Sequence, residues 1–258
     1  MAKQNTRLEM LLNHLKENHV LTVRQLAHDL NVSEMTVRRD IAVLEHDNKV
    51  KSFYGGISLA PASDDISSGE YAIDSELVER KEQKRRIAMK AASMIEYNDV
   101  ILIDTGTTTS CMMDYIPDES CNTVYCYALN ILNSASRKKS LNIVGCGGFY
   151  HRNTNMFESE EGASLILKTQ INKAFLAARG VSDVVGITTA EPYEVNMKKA
   201  ALSVSKQKIL LVDSSKFGKA WYAKYAELKD IDVIITDTDI RDEYKQMILD
   251  SGITLHTV

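Results

Sequence analysis

Apolar residues in the first sixty positions recur every three or four places and then give way to short extended runs, and this change outlines a small domain. Leu8, Leu11, Leu12 and Leu15 fall on one side of a helix predicted over 6–17, opened by the capping box Thr6-x-x-Glu9. Thr22-x-x-Gln25 repeats that start signal, and Val23, Leu26, Ala27 and Leu30 supply the buried side of a second, shorter helix. Asn31 and Val32 turn the chain into a third helix, 33–45, with Ser33 as N-cap, Glu34 in the first turn, and Val37, Ile41 and Leu44 at helical spacing. Asn48 suits the left-handed conformation that ends a helix. Two short strands, 49–53 and 57–59, then flank Tyr54-Gly55-Gly56, a hairpin with a glycine turn.

Residues 60–69, APASDDISSG, have no period and mix Pro, Ser, Asp and Gly, which marks a linker. A helical pattern over 70–97 follows, with the charge run ERKEQKRR in its middle; a solvated face explains the run most simply, a subunit contact or second DNA contact less so. From residue 100 onward, apolar runs of strand length (100–103, 123–127, 141–144, 174–177, 209–212, 233–235) alternate with helical stretches near 107–115, 130–138, 162–170, 193–205 and 240–250. Such alternation predicts an α/β domain with a mainly parallel sheet covered on both faces. The domains expected are therefore 1–59, a 60–69 linker, and 70–258.

On the third helix Thr36, Arg38 and Arg39 point away from the apolar stripe. Adjacent arginines suit phosphates or the O6/N7 edge of guanine, whereas an isolated charged helix face is more often plain solvated surface. The neighbours decide: helix, short helix, turn, helix is the helix-turn-helix order, and the hairpin behind it makes a wing whose Lys49, Lys51 and Tyr54 would lie near the sugar-phosphate backbone. Charge changes this picture little. The 258 residues are 44% hydrophobic and 26% charged with a formal net charge of -4, an ordinary globular balance in which any DNA contact must be local. Residues 1–58 hold 8 Lys+Arg against 7 Asp+Glu, the remainder 23 against 28, so a basic nucleoid-type protein is disfavoured. Cys111, Cys121, Cys126 and Cys146 show neither metal-ligand nor disulfide-framework spacing; reduced thiols, no metal and a cytoplasmic location are expected. No run approaches the ~20 apolar residues of a membrane span.

The strand ends carry the second set of candidates, because ligands of parallel sheets gather there. Asp104-Thr105-Gly106-Thr107-Thr108-Thr109 puts a glycine and three hydroxyls at a helix start, where backbone N–H groups cradle phosphate, although no Gly-Lys-Ser/Thr follows as in a Walker A loop. Later strand ends add Gly147-Gly148, Arg179-Gly180, and Asp213 through Lys216-Phe217-Gly218. Each alone reads as an ordinary turn; together they suit a small phosphorylated polyol, with Arg179 and Lys216 for the anion and Asp104 or Asp213 for hydroxyls. Glu194, Lys198 and Lys199 are rim candidates or an i,i+4 surface pair.

With both halves in view the chain resembles the DeoR family of bacterial transcriptional regulators along essentially its whole length. The resemblance rests on Leu26-Ala27, Val32 through Asp40, Leu44-Glu45 and Gly55-Gly56, and in the second domain on Asp104 through Thr108, Gly147-Gly148, Glu194 with Lys198, and Asp213 through Gly218. It implies a winged helix-turn-helix repressor that binds a double-stranded operator, with a C-terminal domain similar to ribose-5-phosphate isomerase that senses a phosphorylated sugar, no cofactor, and a homo-oligomer of two or more chains. Val32 through Thr36, Gly106 through Thr109 and Cys126-Tyr127-Ala128-Leu129-Asn130 are similar to the branch that governs deoxyribonucleoside operons, whose inducer is a deoxyribose phosphate. Many relatives have Thr-Asn in place of Cys126-Tyr127, so here Tyr127 is expected to narrow the pocket or offer a ring to stack on. The residues expected to touch DNA are Ser33, Met35, Thr36, Arg38, Arg39, Lys49, Lys51 and Tyr54. Those expected at the effector are Asp104, Gly106, Thr107, Thr108, Thr109, Tyr127, Gly147, Gly148, Arg179, Glu194, Lys198, Asp213 and Lys216. An isomerase with a DNA-binding appendage is the alternative, with Glu194 and Asp104 as its available acids.

Overall fold

The computed structural model describes residues 2–18, 20–53, 56–59, 80–117, 121–221 and 223–258. Tyr54 and Gly55, the 60–69 stretch expected as a linker and the 70–79 stretch expected to open the second domain lie outside the described residues. The first domain holds helices α1 (Ala2–Asn18), α2 (Val23–Asp29) and α3 (Glu34–His46) and strands β1 (Val20–Leu21), β2 (Val50–Phe53) and β3 (Gly56–Leu59). Its core is the predicted stripe: Leu11, Leu15, Leu26, Val37 and Leu44 are all at most 1% exposed, and each such side chain contributes roughly 1.5–3 kcal/mol by leaving water. The Thr22–Gln25 capping box forms, Ser33 caps α3, and Asn31 and Asn48 take positive φ at the two turns. Two expectations change. Helix α1 starts at Ala2, upstream of Thr6, because the good helix formers before it extend the helix past a purely local start signal. The wing gains a third strand, β1, pairing antiparallel with β3 through Val20–Ser58 and Leu21–Ile57.

The second domain opens with α4 (Lys81–Ala92) and then builds a parallel sheet from β4 (Asp99–Ile103), β5 (Cys121–Cys126), β6 (Asn142–Gly145), β9 (Ile171–Ala177), β12 (Ser205–Leu211), β14 (Val233–Thr236) and β15 (Thr254–Thr257). Their order is β15-β14-β12-β9-β4-β5-β6, and every pairing is parallel. Fully apolar interiors such as Val-Ile-Leu-Ile at 100–103 follow from burial on both faces: one core cluster joins Leu102, Leu176 and Leu210, the opposite one Ile101, Ile103 and Ile209. Helices α5 (Thr107–Ser110), α6 (Leu129–Ala135), α7 (Glu160–Leu167), α8 (Glu194–Val204) and α9 (Asp242–Asp250) separate the strands near the predicted places. The alternation over 107–115 becomes one α turn followed by a 3-10 turn, Cys111–Asp114.

Two additions lie at the carboxyl end of the sheet. A hairpin, β7 (Phe149–His151) with β8 (Met156–Glu158), follows β6, and an antiparallel sheet of β10 (Gly180–Ser182), β11 (Gly186–Thr189) and β13 (Ala223–Ala226) follows β9. From β4 the strands run outward to β5 and β6, then resume on the other side of β4 with β9, β12, β14 and β15. The order reverses between β4 and β9, and the crevice outside the carboxyl ends at such a reversal is where doubly wound sheets bind ligands.

Candidate functional site

The residues that leave β4 and β9 form a cleft lined by Thr105, Gly106, Ala177, Arg179, Glu194 and Lys198 among others. Gly106 is required there by contact alone: a Cβ at that position would sit 2.6 Å from the Ala177 Cβ. Asp104, fully buried at the end of β4, accepts three hydrogen bonds. Oδ1 takes the Tyr127 hydroxyl, and Oδ2 takes the Ala177 amide at 2.8 Å and the Lys198 ammonium at 2.5 Å. Lys198 also donates to the Ala177 carbonyl at 3.1 Å and lies 3.4 Å from Glu194, one helical turn back on α8. Glu194 and Lys198 are thus a buried pair under the cleft, neither rim nor surface. Burial pushes the Glu194 carboxyl above its ordinary range against the pull of Lys198. Burial works against the charged Lys198 as well, but Asp104 and Glu194 together outweigh it and raise its pKa. The Tyr127 hydroxyl is raised well above its usual value by burial and by Asp104. Tyr127 neither narrows the cleft nor presents its ring; being wholly buried, it acts through Asp104.

Arg179 is the cation at the mouth, its guanidinium 4.8 Å from the centre of the Trp221 ring. The 149–158 hairpin, which sequence patterning did not reveal, is tied to the cleft residue Thr105 and to the start of α8. Thr105 Oγ1 donates to the Thr154 carbonyl at 2.8 Å, and His151 stacks on Tyr193 at 3.6 Å while its Nε2 lies 2.9 Å from Glu158. The Tyr193 hydroxyl donates to Asn153 at 2.8 Å, fastening hairpin to helix start.

The remaining expected effector residues do not line this cleft. Thr107, Thr108 and Thr109 are buried in the single turn after Gly106, and the Thr109 hydroxyl is spent on the Gly106 carbonyl at 3.0 Å. Gly148 serves the hairpin, since a Cβ there would come within 2.1 Å of the Glu158 carbonyl, and the Gly147 carbonyl accepts the hydroxyl of Ser159, the N-cap of α7, at 2.7 Å. Asp213 caps the turn Ser214–Lys216, taking the Ser215 amide at 3.0 Å. That loop is joined to Arg80, which donates to Ser214 Oγ at 2.6 Å and lies 3.9 Å from Asp213 and 3.7 Å from Asp237. Asp213 therefore sits beside Arg80, the residue just before α4, with Lys216 at the end of the same turn. Lys199 is exposed on α8, apart from its buried neighbour Lys198.

In the first domain Met35, Arg38 and Arg39 are exposed on one side of α3. Ser33 Oγ accepts the Thr36 amide at 3.2 Å and lies 2.9 Å from the Thr36 hydroxyl, so both residues shape the helix start. Asp40, the third member of Arg-Arg-Asp, is buried instead: Arg7 of α1 grips its two oxygens at 2.5 and 2.9 Å. Glu45 takes the Ser52 amide at 2.9 Å, tying α3 to the wing, on which Lys49 and Lys51 are exposed.

The DeoR-like helix-turn-helix domain model matches residues 7–61, and the DeoR C-terminal sensor domain model matches 79–238. The chain belongs to the DeoR family of transcriptional regulators. By that membership it is a transcriptional regulator. The "HTH-type transcriptional regulator IolR" of Bacillus subtilis (strain 168) is 30% identical to it over 250 residues, 97% of this chain and 98% of that protein. The "Deoxyribose operon repressor" of Escherichia coli (strain K12) is 32% identical over 243 residues, 94% of each. A solved D-ribose-5-phosphate isomerase in complex with phospho-erythronic acid is similar at a TM-score of 0.40 and 19% identity, covering 53% of this chain and 54% of that one. In this DeoR-family chain the matched domains correspond to the winged head and the sheet with its cleft. No helix among the described residues is long and apolar enough to cross a membrane.

Proposed function

We propose that this regulator represses a sugar or deoxyribonucleoside catabolic operon, and that a phosphorylated sugar, deoxyribose phosphate above others, releases it from a double-stranded operator. The observation that carries the effector half is the position of the cleft at the strand-order reversal between β4 and β9, with a cation, Arg179, at its mouth and a buried carboxylate–ammonium pair, Glu194 and Lys198, at its floor. Lys198 is held by Asp104 and Glu194, and the phosphate is met by Arg179, which lines the same cleft, and by the backbone beside Gly106. The sugar hydroxyls then meet Glu194 and Thr105. The similarity to a deoxyribose operon repressor supports the choice of sugar.

Release needs a ligand that favours one of two arrangements of head and sensor. Two contacts supply a route between them: Val20 of the head is buried with Val185 and Ala220 of the sensor, and Arg80 is tied to the Asp213 loop. The 217–221 stretch is in turn laced to the strands beyond Arg179, through Gly218 N–H to the Val181 carbonyl and Trp221 N–H to Thr189's neighbour Thr188. The regulator works as a dimer or larger homo-oligomer, since one small head makes too few contacts for tight binding.

Titration of the full-length protein against its own upstream DNA, with and without a panel of pentose, deoxypentose and hexose phosphates, tests this reading. Deoxyribose 5-phosphate is expected to weaken binding at least tenfold in the native protein and not in Arg179→Ala. Binding indifferent to every sugar phosphate removes the sensing role, and light scattering that finds a monomer on DNA removes the oligomer.

A further inference from the structure

Helix α3 turns about 100° per residue, so its thirteen residues sort into two sides. Val37, Asp40, Ile41 and Leu44 face the core. Met35, Arg38, Arg39, Ala42 and His46 face the opposite way, with Val43 on their flank, and all six are exposed. Met35 is 62% exposed and Val43 40%, and neither belongs to the head's apolar cluster. Two sizeable apolar groups thus stand in water on the side that carries the arginines. They lie about 12 Å apart along the axis, one on each side of the pair Arg38-Arg39.

Single exposed apolar side chains are common on protein surfaces, but these two flank an arginine pair on one side of a helix, and a major groove has a use for both. The apolar group that base pairs present there is the thymine 5-methyl, while the guanine O6/N7 edge takes a guanidinium. Met35 stands one residue inside the helix start, the end of a reading helix that reaches base edges, and its unbranched, polarisable side chain adapts to a methyl without a fixed rotamer. Ala42, one turn beyond Arg38 and Arg39, adds a small apolar surface between them and Val43.

We infer that α3 selects its operator in part by apolar contact between Met35 and Val43 and thymine 5-methyl groups that flank the positions met by Arg38 and Arg39. The inference rests on the DNA-binding reading of the head and names the base chemistry it recognises.

The test starts from operator sequences enriched by the full-length protein from random duplexes, in which each thymine is then replaced singly by uracil. That change removes the methyl and keeps every hydrogen-bonding group. Loss of one buried methyl is expected to weaken binding about fourfold at the contacted positions. Met35→Ala and Val43→Ala, both at exposed positions, are each expected to abolish the thymine–uracil difference at one position while leaving the other intact, a coupling that a shape effect of uracil does not produce. Equal affinity for thymine and uracil at every position overturns the inference and leaves the DNA reading standing, as does a thymine–uracil difference that both variants retain in full. Failure to enrich any sequence overturns both.

Discussion

Both domains bury a carboxylate against a cation, and they use the arrangement in opposite ways. In the head, Asp40 is buried but its partner Arg7 is a quarter exposed, and the pair locks α1 against the reading helix while Arg38 and Arg39 stay in water. In the sensor, Asp104, Glu194 and Lys198 are all buried together with Tyr127, and Arg179 lines the same cleft over the Trp221 ring. A buried ion pair whose members cannot reach water is costly to break, whereas one with an exposed end relaxes into solvent. The head therefore has a rigid frame with free cations, suited to an anionic partner as large as DNA. The sensor has a tightly neutralised floor with Arg179 beside it, suited to a small anion carrying hydroxyls.

The largest effect expected from this contrast is at Lys198. Lys198→Met leaves Asp104 and Glu194 as uncompensated buried carboxyls and should cost about 3–5 kcal/mol in urea unfolding of the full chain. A loss below about 1 kcal/mol contradicts the view of the floor as a closed charge cluster. Next comes Arg38→Ala, which should weaken operator binding by about 1–3 kcal/mol and relax base preference at one position; a uniform loss across sequences with a shallower salt slope makes Arg38 a phosphate contact instead. Asp40→Ala should cost about 1–2 kcal/mol, less than Lys198→Met because Arg7 can turn to water, and its imprint should appear as faster hydrogen exchange along α1. Comparable losses at Asp40 and Lys198 erase the distinction between the two sites.

The smallest effect is a slope in pH. Burial lifts the Glu194 carboxyl above its ordinary range, so the folded chain holds that proton more tightly than the unfolded chain does. Its contribution to stability is then fully present below the unfolded value, about 4.3, and is lost as pH rises through the folded value. Urea midpoints of the native protein should fall over that window relative to those of Glu194→Gln. Parallel midpoint curves for the two proteins show that Glu194 titrates normally.

Much of this was legible in the sequence because the signals were local or strictly periodic. The caps at Thr22 and Ser33 and the stripes Leu11-Leu15 and Val37-Ile41-Leu44 form as expected, and so do the six apolar strands. The edge strand Thr254–Thr257 escaped because, half solvated, it carries no apolar run. Strand Val20–Leu21 is two residues long and exists through its partner β3. Within the site, Asp104, Gly106, Arg179, Glu194 and Lys198 come together, since strand-end motifs report where a parallel sheet puts its loops. The His151–Tyr193 stack and the bond from Arg80 to Ser214 join residues far apart in the chain, and no spacing rule encodes such pairs. Gly148 runs the other way: in sequence it reads as part of a ligand loop, and in the fold the space a Cβ would take is filled by the Glu158 carbonyl.

The Arg7–Asp40 grip also sets how portable this reading head is. A recognition helix is an attractive cassette to move between related regulators when new operator specificity is wanted. Here residues 34–46 do not travel alone: Asp40 needs the guanidinium of the first helix, and Glu45 needs the Ser52 amide of the wing. Grafted without them, the helix carries a buried orphan carboxylate into its host. The smallest interchangeable unit is the whole head, helix α1 through strand β3.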